Sequence, residues 1–114
     1  MISFPQEMLW KKSAKNISYN LVILGRAQEE INQIYEYYSE ISFSVLQSFD
    51  QQLEKAYQSL ETNPFFQVRY KNLRALPFES FPYMLFFSIE EEEKLVYIYS
   101  VFNTYQDPDK YPNL

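Results

Sequence analysis

The chain has 114 residues, 46% hydrophobic and 19% aromatic, and 15 acidic against 10 basic side chains give it a net charge of −5. That length holds one domain with a genuine core, and the composition lies far from those that stay disordered. Cysteine and histidine are both missing, which excludes disulfides, thiolate chemistry, Cys-based zinc sites and the usual hydrolase triads, and leaves acid–base work to a perturbed Glu, Asp, Lys or Tyr.

Residues 1–18 show no clean strand period and read as an N-terminal arm. A short amphipathic helix would set Met8 and Leu9 against the body, with Lys11, Lys12 and Lys15 in water. Trp10 reads either as part of a loose arm, the commoner fate of a terminus, or as an anchor for a partner or a second copy. Tyr19–Leu24 is a β-branched and aliphatic run closed by Gly25, the pattern of a buried strand. From Gln28 the apolar positions Ile31, Ile34, Tyr35 and Tyr38 follow helical spacing, with Gln28, Glu29, Gln33 and Glu36 on the wet side. A second helix, capped by Ser42 or Ser44, carries Val45, Leu46, Phe49, Leu53, Ala56, Tyr57 and Leu60 and stops at Asn63-Pro64. So short a connection makes the two helices an antiparallel hairpin.

Three strands are predicted next, over Val68–Leu76, Pro82–Ile89 and Leu95–Phe102, with Glu90–Lys94 as the turn between the last two. Pro82 lacks an N–H for a ladder, so it belongs at a strand start and puts Tyr83, Leu85 and Phe87 on one face and Met84, Phe86 and Ser88 on the other. The expected fold is therefore α+β: an N-terminal strand, an antiparallel helical hairpin and a three-stranded antiparallel meander, with both helices on one face of the sheet. Residues 19–114 form the single domain after the arm.

Several motifs fall in a fixed order along this frame: the YNLVIL strand, the Arg26-Ala27-Gln28-Glu29-Glu30-Ile31 helix opening, Asn63-Pro64, Arg74, Phe81-Pro82-Tyr83 and Asp107-Pro108. Together they resemble the RelE/ParE toxin superfamily from about Tyr19 to Pro108, and the Phe-Pro-Tyr form is more similar to the ParE branch than to the compact nucleases. Members of that family are usually encoded beside an antitoxin and stop growth by cutting ribosome-bound mRNA or by poisoning DNA gyrase. The resemblance implies a type II toxin of the plasmid-stabilisation kind, bound by a cognate antitoxin over the helical hairpin and sheet edge. Tyr35, Tyr38, Phe81 and Tyr83 are the expected partner-binding residues.

Arg69, Lys71 and Arg74 form the dense basic cluster of the second half and are the expected target-binding residues. Arg74 is the first choice, because the arginine it matches lies where the nucleases hold phosphate, and a guanidinium fork suits a phosphate or an antitoxin carboxylate. A nuclease would use Arg69, Lys71, Arg74 and Tyr105 to activate a ribose 2′-hydroxyl, neutralise the phosphate and protonate the leaving oxygen. Against this, Asn103 and Gln106 are neutral near the strand end where many nucleases carry a histidine or arginine. The leading expectation is thus action by binding, for instance to DNA gyrase, rather than catalysis. The alternatives are a ribosome-dependent mRNA endoribonuclease and a non-toxic relative that serves as an interaction module.

Glu90–Glu93 reads as a solvated turn and Asp107/Asp109 as a Pro-punctuated one, so no metal and no cofactor are expected. The negative charge opposes nonspecific attraction to nucleic acid or an anionic membrane. No run of about 20 apolar residues spans a bilayer, and Met8-Leu9-Trp10 is interrupted by Lys11-Lys12 before it can make a secretory signal. A cytoplasmic protein is expected, with a homodimer among its assemblies.

Overall fold

A computed structural model describes residues 19–112. The expectations for residues 1–18, including the roles of Met8, Leu9 and Trp10, lie outside the described residues. Strand β1 (Asn20–Ile23) leads into helices α1 (Gly25–Ser39) and α2 (Phe43–Thr62). Four strands follow, β2 (Val68–Tyr70), β3 (Leu73–Pro77), β4 (Tyr83–Glu90) and β5 (Leu95–Asn103), then one 3-10 turn at Pro108–Lys110. They build a single five-stranded sheet in the order β1-β5-β4-β3-β2. The β1–β5 pair is parallel and the other pairs are antiparallel.

The expected α+β fold is present, with one difference of detail. Val68–Leu76 is a hairpin rather than one strand: Val68 faces Arg74 and Tyr70 faces Leu73, so the meander has four strands. The reversal is made at Lys71, whose φ of 54° lies in the left-handed region that Gly or Asn ordinarily fills. With a lysine there, the run reads as uninterrupted.

Each helix turns one stripe to the sheet. Ala27, Ile31 and Ile34 of α1 and Phe49, Leu53, Ala56, Tyr57 and Leu60 of α2 are buried, and each large apolar side chain so covered contributes about 1.5–3 kcal/mol. Ser42 caps α2, its Oγ accepting the Val45 N–H at 3.3 Å. The sheet supplies Leu21, Ile23, Tyr83, Leu85, Phe87, Val96, Ile98 and Val101 to this core. On its other face a smaller cluster of Leu73, Ala75, Met84, Phe86 and Phe102 is closed by Tyr70, Tyr99 and Tyr111. Tyr83, Leu85 and Phe87 thus share the helix face and Met84 and Phe86 the opposite one, the alternation expected of a strand entered through Pro82.

Glu91–Lys94 form the exposed β4–β5 turn. Asp107 caps the 3-10 turn, its Oδ1 accepting the Asp109 N–H at 2.9 Å. Among the described residues no helix is long and apolar enough to cross a membrane.

Candidate functional site

A groove of about 370 Å³ opens where α1 crosses the far ends of β4 and β5. Glu30, Gln33, Ile34, Tyr37 and Tyr38 give it one wall. They recur at three- and four-residue steps and so form a single stripe of α1. Tyr83 and Val101, both buried, make its base, while Asn103, Tyr105 and Gln106 form the rim.

A β-bulge sets this base. Phe87 faces Ile98 but Phe86 faces Ser100, so Tyr99 is an extra residue in β5. Val96 and Ile98 point to the helices before the bulge and Val101 does so after it, a change from even to odd numbers that only an inserted residue permits. β1 pairs no further than Ile98, which leaves the next stretch of β5 without a strand on that side. Glu30 fills the gap: its Oε1 accepts the Val101 N–H at 3.0 Å and the Ser100 hydroxyl at 2.7 Å. Its Oε2 accepts from Arg26 Nε at 3.0 Å, and Arg26 Nη2 donates to the Lys110 carbonyl at 2.7 Å. One carboxylate therefore ties α1, the bulge and the C-terminal turn together. A buried amide left unpaired there would cost about 1–3 kcal/mol.

Asn103 controls the rim. Its Oδ1 accepts the Tyr105 N–H at 2.9 Å and its carbonyl the Gln106 N–H at 3.0 Å, an Asx turn that holds Tyr105 out with 86% of its surface exposed. The next residue, Thr104, donates its N–H to the Pro82 carbonyl at 2.8 Å and so joins the entry of β4 to the exit of β5. The neutral Asn103 and Gln106 are thus turn and rim residues.

Behind the groove lies an aromatic cluster. The Phe49 ring is in contact with Tyr35, Tyr38, Phe78, Phe81 and Tyr83 at centroid separations of 5.6–5.9 Å. The Tyr83 hydroxyl donates to that of Tyr38 at 3.3 Å. Burial, and then this hydrogen bond, push the Tyr83 phenol well above its ordinary value. Burial and the 2.6 Å hydrogen bond to Asp50 do the same for Tyr35. Both stay neutral near pH 7, fit to donate a hydrogen bond or to stack but too weakly acidic to trade protons.

The basic residues lie elsewhere. Arg69 is exposed on edge strand β2, and Lys71, in the turn, holds its ammonium 5.3 Å from the Tyr70 ring centre. Arg74 is half-buried, with Nη1 donating to the Phe66 carbonyl at 2.6 Å and its guanidinium 5.6 Å from the centre of the Phe65 ring. Arg74 braces the segment that leaves α2. Through Phe87 it stands level with Ile98, and Asn103 lies five residues further along β5, about 15 Å away. The structure therefore gathers Tyr38, Tyr83 and Tyr105 around the groove with Phe81 behind them. It sets Arg69, Lys71 and Arg74 apart, and puts Tyr35 in a separate cleft between the helices. Among the described residues no group of three acidic side chains is arranged to hold a metal.

The family model of the ParE toxin of the type II toxin-antitoxin system, parDE, matches residues 21–108. The chain belongs to the ParE toxin family. A solved structure titled as the chromosomal ParDE TA system from P. aeruginosa shares the fold, with a TM-score of 0.65 at 16% identity over 75% of this chain and 96% of the other. No curated protein matches.

The groove of this ParE-family chain is also lined by Gln33 and Tyr37, which the motifs did not include, and by Glu30, which the helix-opening motif contained without a role. Their shared stripe with Tyr38 was the available signal. The partner of Glu30, an orphaned amide beside a bulge some 70 residues away, leaves no mark in the sequence.

Proposed function

We propose that this chain is the toxin of a type II toxin–antitoxin module of the plasmid-stabilisation kind, that it acts by binding a macromolecular target such as DNA gyrase, and that a cognate antitoxin neutralises it. The match to the ParE toxin family over residues 21–108 carries this reading. In it the antitoxin lies along the helical hairpin and into the tyrosine groove, with Tyr38, Tyr83 and Phe81 as the firm base and the exposed Tyr37 and Tyr105 as rings that a partner can cover. Aromatic side chains give much contact area for little lost rotamer freedom, which suits such a surface. Arg69, Lys71 and Arg74 are the proposed target-binding set, and a cytoplasmic location follows from the target.

Binding is preferred to RNA cleavage on geometry. A ribose 2′-hydroxyl and its phosphate span a few ångströms, whereas Tyr105 follows a strand end about 15 Å beyond the row of Arg74. Tyr105 and Arg74 thus leave the backbone at well-separated points of the sheet, which disfavours their joint action on one phosphate.

The test is tightly controlled expression in a bacterial host, with growth, mRNA integrity and plasmid supercoiling followed together. Growth arrest with intact mRNA and altered supercoiling is expected. Arrest accompanied by mRNA cleavage overturns the binding mechanism, and normal growth overturns the toxin assignment. The exposed pair Arg69→Ala and Lys71→Ala should weaken arrest without loss of fold; undiminished arrest removes that hairpin from the target site.

A further inference from the structure

A carboxylate offers about four lone-pair positions to donors. Among the described residues Glu30 uses three: its Oε1 accepts from the Val101 N–H and the Ser100 hydroxyl, and its Oε2 from Arg26 Nε. One position on Oε2 is left, and a quarter of the Glu30 side chain is open on the wall of the tyrosine groove. The groove's volume of about 370 Å³ lies at the small end of ligand pockets, which suits one long side chain better than a folded element. Its remaining surface is largely aromatic. Tyr37 and Tyr38 hold their ring centres 5.1 Å apart on the α1 side, and Tyr105, fixed by its Asx turn, stands almost wholly open on the β5 side.

Charge selects the occupant. Helix α1 carries Arg26 against Glu29, Glu30 and Glu36, a balance of −2, and Glu40 follows at its C-cap. Its last turn holds no basic residue, and Tyr37 and Tyr38 sit in that turn, where the helix dipole places partial negative charge. None of the described lining residues is basic. A nucleic acid, whose phosphates seek lysine or arginine, is poorly served there. Arg26 does not fill the groove itself, since its Nε and Nη2 are held by Glu30 and by the Lys110 carbonyl. A guanidinium from outside fits on three counts: its plane stacks on aromatic faces, its N–H fork supplies a donor to Oε2, and it sheds water more readily than an ammonium. An apolar side chain would instead cover the carboxylate oxygen and leave it dry, which is costly.

We propose, on the reading that this groove is a partner surface, that it receives an arginine side chain of the protein partner, with the guanidinium held against the Tyr37 and Tyr105 rings and donating to Glu30 Oε2. The site is prepared for it. Glu30 is locked by the bulge and Tyr105 by its turn, so little side-chain freedom is lost when the arginine enters.

The probe is N-acetyl-arginine methylamide, titrated into the full chain and followed by NMR. Saturable shifts are expected at the Tyr37 and Tyr105 rings and at the Val101 amide, whose acceptor is the same carboxylate. N-acetyl-citrulline methylamide, alike in shape but uncharged, should bind several-fold more weakly, and so should the lysine analogue. Tyr105→Ala should weaken the arginine probe about two- to five-fold, the worth of one exposed cation–π contact, while Tyr105→Phe keeps the ring and the affinity. Tyr105 is exposed, so the fold should survive both changes, and matching amide spectra check that it has. Equal binding of the citrulline or lysine probe overturns the proposal, as does an unchanged affinity in Tyr105→Ala. Shifts confined to the Glu90–Glu93 turn also overturn it, as general attraction to carboxylates. Uridine monophosphate should leave the groove signals in place; a stronger response to the nucleotide overturns the proposal in favour of a nucleic acid. None of these readouts needs toxicity or an antitoxin. Failure to bind the arginine probe leaves the toxin assignment standing, and normal growth on expression overturns that assignment without touching the chemistry of the groove.

Discussion

The tyrosine groove and the β2–β3 hairpin carry candidate residues in opposite ways. In the groove, polar and aromatic side chains converge from α1, β4 and β5 because a bulge, a carboxylate and an Asx turn aim them. In the hairpin the cations are denser in sequence, yet Arg74 spends its guanidinium on the Phe66 carbonyl and the Phe65 ring, and Lys71 lies over Tyr70. Local charge density is therefore a poor guide to where a surface is organised, because a cation in a small domain is often used to hold its own chain. The groove is the more organised of the two surfaces, and its supports can be broken one at a time.

The largest effect is expected from Phe49→Ala. Phe49 is fully buried and its ring meets five other aromatic rings, including the Tyr38 and Tyr83 that face the groove. Truncating such a side chain costs about 3–5 kcal/mol. Urea unfolding should show a much lower midpoint at an unchanged slope. A loss below about 1 kcal/mol would mean that the groove does not rest on this cluster.

Glu30→Ala comes next. It strands the Val101 amide and the Ser100 hydroxyl and releases Arg26 from one of its partners, at a cost of about 1–3 kcal/mol. Amide exchange should quicken at Val101 more than at Ile98, which lies on the near side of the bulge. Arg69→Ala on the exposed hairpin should change stability by less than about 0.5 kcal/mol. Equal effects at the two positions would erase the contrast between an organised groove and a self-occupied hairpin.

Much of this frame was legible because it follows from periodicity. The i, i+3, i+4 steps placed Ile31, Ile34, Phe49, Leu53 and Leu60 inside, and Pro82 fixed the phase of β4. What stayed hidden depends on contacts between distant segments. Lys71 in a left-handed turn disguised a hairpin as one strand, since no Gly announced the reversal. The Tyr99 bulge exists only in the pairing of β5 with β4, and Glu30 was one more acidic residue on a helix until the amide it accepts from was in view. Tyr111, after the last strand, gave no sign that it would close the second face of the sheet. For the candidate site, the aromatic identities of Tyr38, Tyr83 and Tyr105 were visible and their convergence was not.

The smallest effect compares the two regions through their backbones. Ser80, in the loop before Phe81-Pro82-Tyr83, and Lys71, in the β2–β3 turn, both take positive φ, 68° and 54°. Asn tolerates that region better than either residue and avoids the extra entropy that Gly loses on folding. Ser80→Asn should therefore gain a few tenths of a kcal/mol, about 2 °C in Tm for a domain this size. Lys71→Asn earns the same backbone relief but gives up the ammonium over Tyr70 at 5.3 Å, worth about 0.5–1 kcal/mol at an exposed position. The two terms nearly cancel, so its Tm should hardly move or should fall slightly. A clear rise for Lys71→Asn would mean that the Lys71–Tyr70 contact is energetically idle, and that nothing in its own chain competes with a target for this ammonium.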